Sequence, residues 1–519
     1  MKSAPLLLGL VALSSGAGFA SPARAQDAAA TQLQVTSTTV VEQHTDNQDD
    51  ATDNDDYGIV VQRLNLGAVS NGLEFTGRLD GVGLWNEPSA AYGSYLDLER
   101  LGVAWRGESV SLNAGDDYLQ VGRGFLLSLR KNDEAGLDIA FRGASFEADT
   151  GPVHSRVFYG KSNIANLDAL TQRSIADVND TISGAVITAD TGDFGTFGLQ
   201  TVAVSTRIGE GATATDGNFT GVGATWDLPA PTPWMSAYIE ANMLRSEAYG
   251  IAEQHPAALL STNFFVGDAT VTIEALTVEG FAIESTPQPA AAGLSATGAT
   301  FFYNQTPTLE RADQEVLNAN DANALRTRLD YVVGDSGLSV YANALLRQQG
   351  QSTVQPTDQV HGYAGWEFAY GEGASHFNGS FGARNETQNG KEFASMEHAD
   401  IDCVQALGGP WSLHLTAKGE NWRKQAVGVT KAYVRGNAIL GLDLRGIGGV
   451  AFEYGHDDEK EGADRRTEFY AGHVNYEISE ALTVRGVGGS QRGGLKCVNG
   501  VCREYPSFSG GRLELIARF

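Results

Sequence analysis

Residues 73–85 carry a pattern that few folds accommodate. Leu73, Phe75, Gly77, Leu79, Gly81, Gly83 and Trp85 alternate with Glu74, Thr76, Arg78 and Asp80, so one face is apolar or minimal and the other is largely charged. A strand of a soluble sheet stops after roughly five or six residues, whereas a strand crossing a bilayer at a tilt needs about nine to eleven. The alternation recurs at Leu101–Trp105, Val222–Leu228, Val271–Ala275, Thr327–Val333 and Leu338–Leu346, and in several later segments from Val360 to Ile478. Asn71-Gly72 and Gly334-Asp335-Ser336-Gly337 supply turn residues between such runs. At roughly 20 to 25 residues per strand and connection, residues 57–519 accommodate about 18–22 strands. The fold class expected is all-β: a large transmembrane antiparallel outer-membrane β-barrel.

The two ends agree with that reading. Lys2, the apolar run Leu6–Leu13 and the small-x-small triplet Ala23-Arg24-Ala25 have the order of a secretory signal peptide, cut after Ala25. The apolar run is too short for a spanning helix, and no later segment offers 18 consecutive apolar residues. At the other end Leu513, Leu515, Ala517 and Phe519 alternate with Arg512, Glu514, Ile516 and Arg518, and the sequence stops on the aromatic Phe519. An amphipathic strand closing on an aromatic residue suits recognition by the barrel-insertion machinery, and pairing it with the first strand removes both sheet edges. Trp85, Trp105, Trp226, Trp234, Trp411 and Trp422 fall at or near expected strand ends, as an interfacial girdle requires. The expected surroundings are outer-membrane lipid and lipopolysaccharide.

Between signal peptide and barrel, residues 26–56 are expected to form an acidic, disordered periplasmic leader, because six aspartates crowd Asp46–Asp56. The run lacks the central glycine and closing glutamate of an EF-hand. A formal net charge of −27, from 63 acidic and 36 basic residues, argues against nucleic acid as a partner. In a channel the same excess leads one to expect a preference for cations. Two long connections interrupt the rhythm. Ser285–Gly293 is rich in Pro and Ala, and Asn304–Ala324 fits either a surface loop or a constriction folded into the lumen, with the surface loop preferred.

Cys497 and Cys502 bracket Val498-Asn499-Gly500-Val501, a spacing that suits a disulfide across a hairpin in an oxidising compartment. Two free thiols or a metal pair are the alternatives, the latter poor for want of further ligands. Cys403 stands alone in an alternating run.

Residues 112–130, LNAGDDYLQVGRGFLLSLR, resemble a strand motif of a family of uncharacterised outer-membrane barrels. The matching positions are Gly115, Asp116, Tyr118, Gly122, Gly124, Phe125 and Leu127, while Asp117 and Val121 depart from it. The segment from Arg492 to Phe519 is similar to that family's closing segment, with Cys497, Gly500, Cys502, Tyr505, Pro506 and Gly510 in matching places. The resemblance implies a barrel over residues 57–519 and attaches no activity to it.

Catalytic signatures do not assemble. The sequence has no Gly-x-Ser-x-Gly elbow, no His-Glu-x-x-His and no phosphate-binding loop. His398, Asp400 and Asp402 share one face of an expected strand, but solvated lumen groups explain them as well as a metal does. No catalytic residue, cofactor or metal is assigned. Two functional readings follow: a porin-like channel or transporter for small solutes, or a structural component of a larger envelope complex with other envelope proteins as partners.

Overall fold

The computed structural model describes residues 31–519 except 46–55, 90, 133–135, 176–177, 209–213, 249, 287–300, 312–315, 317–318, 427–428, 460–465, 499–500 and 506. The signal peptide, with its cut after Ala25, lies outside the described residues, as does most of the aspartate run.

Among the described residues, twenty-four antiparallel strands of 8 to 18 residues form a closed circuit. Closure is made by the first strand, Gln32–His44, which pairs with Gly58–Ser70 on one side and with the last strand, Phe508–Arg518, on the other. Two expectations are corrected here. Residues 32–44 are a strand of the wall and not part of a disordered leader, so the barrel begins before residue 57. The strand count exceeds 18–22, partly because of this added strand and partly because many connections are only two residues long. QLQVTSTTVVEQH escaped notice because its outward residues Ser37 and Thr39 blunt the apolar face. These hydroxyls share hydrogen bonds with Gln62 on the neighbouring strand: Thr39 Oγ1 to Gln62 Oε1 at 2.5 Å and Gln62 Nε2 to Ser37 Oγ at 2.9 Å.

The two ends of the barrel differ. At the end holding the start of the first strand and Phe519, connections are tight turns such as Asn71-Gly72, whose φ angles of 50° and 79° match the hairpin turn expected there. At the opposite end lie the long connections, 86–94, 118–136, 165–180, 279–321 and 492–507. His44 and Gly58 both reach that end.

Outward faces are apolar, with Leu199, Val222, Leu440 and Leu513 each more than half exposed on the bare protein, as a lipid-facing surface demands. Trp85, Trp105, Trp234 and Trp411 are exposed near strand ends, in keeping with a girdle. Trp422 is not among them. It faces inward, 2% exposed, stacked 6.2 Å from Tyr433, with its indole N–H donating to Glu420 at 2.9 Å.

Candidate functional site: a lumen filled on one side

A barrel of this girth cannot fill its interior with strand side chains alone. Here connections supply the filling. Gly115, at φ 110°, is the last residue of the wall strand Val110–Asp117 to pair with the strand before it; a Cβ there would lie 2.1 Å from the Leu101 carbonyl. The chain then turns inward as a short hairpin, Leu119–Val121 against Leu127–Leu129. Phe125 and Leu126 at its tip are wholly buried. They join one apolar cluster with inward residues of the wall, among them Val202, Val204, Phe219, Leu244 and Leu259. Burying a side chain of this size stabilises by roughly 1.5–3 kcal/mol, so the hairpin is a fixture of that wall.

The described residues of the 279–321 connection complete the filling. Phe281, Ile283, Phe301, Tyr303 and Leu309 belong to the same cluster. Ser128 N–H donates to the Tyr303 carbonyl at 2.7 Å, Gln305 N–H donates to the Gly124 carbonyl at 2.8 Å, and Phe281 meets Phe125 edge to face. The preference for a surface loop at 304–324 is therefore corrected. Thr306, Thr308 and Glu310 are buried, and Ala322–Val332 is a strand of the wall. The segment's mixed polar composition hid this, because Asn304 and Thr306 bond within the connection while Thr308, Glu310 and Arg311 meet polar groups of the wall.

Three polar anchors fix the plug. At the hairpin tip, Arg123 N–H donates to Glu240 Oε2 at 2.8 Å; Glu240, fully buried, also accepts from Gln200, Asn242 and Tyr238. The Arg123 guanidinium lies 4.3 Å from the Tyr238 ring centroid. At the second anchor, Tyr303 donates to Asp180 at 2.6 Å. Burial, then the neighbouring Asp180 charge, holds that phenol well above its ordinary value, so it stays a donor.

The third anchor crosses to the far wall. Glu310 accepts from Gln359 Nε2 at 2.6 Å, contacts His361 Nδ1 at 2.7 Å and accepts from Arg311 N–H at 2.9 Å. His361 Nε2 lies 2.9 Å from His398 Nε2. Burial alone would raise the Glu310 carboxyl, but the bond and charge of His361 outweigh it and hold the group below its ordinary value of 4.5. Beside it Arg311 pairs with Asp400 at 2.9 Å, and Arg347 donates to the Thr308 carbonyl at 2.6 Å.

Gly115 and Asp116 lie in the wall strand Val110–Asp117, Tyr118 follows it, and Gly122 and Gly124 form the turn of the inward hairpin. Asp116 accepts from Leu101 N–H and Arg142, and Tyr118 donates to Asp138. Gly122 and Gly124 have positive φ, and a Cβ on Gly122 would sit 2.3 Å from Glu240. His398, Asp400 and Asp402 do share a face but serve separate partners: His361, Arg311, and the pair His376 and His414, respectively. Among the described residues no group of three potential ligands is arranged to hold a metal. The backbones of Gly494–Val498 and Val501–Tyr505 pair with Cys497 directly opposite Cys502. Leu513, Leu515, Ala517 and Phe519 line the outer face of the closing strand.

Sequence reasoning missed Glu240, Glu310 and the inward course of 165–180. A signal was present: in Thr196–Ile208 the inward residues Val202, Val204 and Ile208 are as apolar as the outward Leu199 and Ala203. A wall strand with this many apolar residues on its inward face needs cover there as well as on the lipid side.

The opposite side of the lumen is polar and partly exposed. His376, His414 and Asp402 are each about two-fifths exposed. Between the plug, the 165–180 connection and the strands around the closing seam lies a cavity of about 1000 Å³, lined by Thr38, Glu42, Arg63, Arg485, Arg512 and Glu514 among others. Gln172 of the covering connection donates to Glu42 and accepts from Tyr57.

No family model matches the chain, and no curated protein matches it. Among solved structures, the siderophore receptor PirA from Pseudomonas aeruginosa is similar at a TM-score of 0.50 and 8% identity, over 95% of this chain and 81% of that one. The P pilus usher (PapC) translocation pore matches at 0.42 and 9% identity, over 94% and 99% of the two chains. Pseudomonas aeruginosa OccK10 (OpdN) matches at 0.38 and 12%, over 82% and 99%. At such identities only the first carries weight, and it speaks to fold alone. The chain is a large closed antiparallel barrel of the outer-membrane kind.

Proposed function

We propose that the protein is a non-enzymatic outer-membrane channel in which small polar solutes pass beside a fixed plug, along the polar half of the inner wall. The observation that carries this is the asymmetry of the lumen. One arc is apolar and covered by residues 119–129 and the described residues of the 279–321 connection, while the other is polar, partly exposed and holds the 1000 Å³ cavity. A plug that closed the barrel outright would need cover on every inward face. Long connections then lie outside the cell and tight turns face the periplasm.

Export through a signal peptide cut after Ala25, insertion guided by the closing strand, contact with lipopolysaccharide and kinship with the uncharacterised barrel family belong to the same proposal. So does a Cys497–Cys502 disulfide, which the facing register supports: with two residues between Val498 and Val501, the next pair out falls at a close, non-hydrogen-bonded position. The anchoring reading loses its chief motive, since residues 32–44 are wall. The net charge favours cations; the groups facing the passage bear on this more directly.

Single-channel recording of the purified protein in planar bilayers tests the proposal. Steady, small openings are expected, well below those of an unplugged barrel of this girth. A silent barrel overturns it.

A further inference from the structure

We infer that the passage selects small anionic solutes bearing carboxylate or phosphate groups, despite the chain's net negative charge. This rests on the channel reading above. Total charge counts every loop, but a solute in the cavity meets only the groups that face it. Six basic side chains, Arg63, Arg78, Arg100, Lys131, Arg485 and Arg512, line the cavity against four acidic ones, Glu42, Asp116, Asp117 and Glu514.

Depth matters more than number. Side-chain exposure is 54% for Arg485 against 19% for its partner Glu514, 47% for Arg512 against 8% for Glu42, and 32% for Arg63 against 2% for Asp80. In each pair the carboxylate lies at the base and the guanidinium at the water. Asp116 is likewise sunk, at 3%. Asp117, at 33%, is the one lining carboxylate with comparable reach, and Arg156 holds it. Arg78 and Arg100 are spent on the wall, both bonded to Asp138.

The contacts of the three exposed arginines are also incomplete. Arg63 and Arg512 reach their partners through Nε, at 3.3 and 3.4 Å, and Arg485 through Nη1 at 3.7 Å. Their other N–H groups have no partner among the described residues. A planar fork with unused donors is suited to a carboxylate or phosphate. Arg485 and Arg512 stand diagonally across adjacent strands, since Arg485 faces Glu514. That is close enough to share one oxyanion. Arg63 lies three strand spacings from Arg485, about 14 Å, and offers a second point for an anion moving along the wall.

The test is the reversal potential of the whole protein in a KCl gradient, followed by addition of succinate or inorganic phosphate to one side. Wild type should favour chloride over potassium, and at least one additive should reduce chloride current. The separate succinate and phosphate arms say which oxyanion is held. The R63Q/R485Q/R512Q variant should lower the chloride-to-potassium permeability ratio at least about twofold and abolish the block. The corresponding triple lysine variant should keep the preference but weaken the block, since it retains charge and loses the fork. Heat-modifiable gel mobility checks that each barrel is assembled. If the triple glutamine variant fails that check, R485Q/R512Q, at the two most exposed sites, carries the same expectation. A cation-selective wild type, or a permeability ratio unmoved by the substitutions, overturns the inference while leaving the channel standing. A protein that conducts nothing overturns the channel reading first.

Discussion

Replacing Glu310 by alanine should loosen the plug without unmaking the barrel. Glu310 is buried on the inward 304–311 segment, and the wall offers it Gln359 Nε2 and His361 Nδ1 at 2.6 and 2.7 Å. Truncation leaves both groups, and Arg311 N–H, facing a void in a dry site. A buried donor left without an acceptor costs about 1–3 kcal/mol, so removing the acceptor shared by these groups costs about 3–5 kcal/mol. None of the pairs that close the barrel circuit includes residue 310, so the loss falls on local docking. At 1.4 kcal/mol per factor of ten, the open population of this segment should rise by about a hundred- to several-thousand-fold. Hydrogen exchange on the protein in nanodiscs reads this at the backbone amides of Gln305, Glu310 and Arg311. Exchange should accelerate there and remain unchanged in Thr196–Ile208. Unaltered exchange in E310A would mean that Glu310 does not latch the segment, and the account of the far-wall anchor would be wrong.

Three further outcomes follow from other residues. Gly122→Val, at φ 57° and facing Glu240, should cost more than about 2 kcal/mol in docking of the inward hairpin and give noisier, larger openings in bilayers; openings like wild type would contradict the docking geometry. Acidification should also release the 304–311 segment. The Glu310 carboxyl is held below 4.5, so its contribution is present above that value and lost as pH falls through the depressed one; exchange rates measured against pH should show this dependence in wild type and lack it in E310Q. Cys497 and Cys502 should resist thiol labelling in denatured, unreduced protein, and labelling of both would exclude the bond.

Long outward-apolar strands, the Asn71-Gly72 turn and the closing strand were legible in sequence because each depends on local alternation or turn chemistry. The first strand was not, because Ser37 and Thr39 satisfy one another through Gln62, a partner 25 residues from Ser37. The glycine motif at 115–124 could be found but not interpreted. Its meaning lies in Glu240, 117 residues beyond Arg123, and no spacing rule links them. Trp422 followed the girdle pattern by position and broke it by face, since the lysine and arginine side chains around it occupy the lumen. Inward residues reveal their role only when the connections that cover them are in place.

The claim that the lumen is sealed along one arc and water-filled along the other can be tested by single cysteines placed on inward positions of each arc and treated with a small, charged thiol reagent in intact outer membranes. Cysteine at Thr38, Ser412 or Thr416 should react, and cysteine at Val204 or Leu259, each under 5% exposed beneath the plug, should not. Equal reactivity on both arcs, or protection of both, would contradict the account.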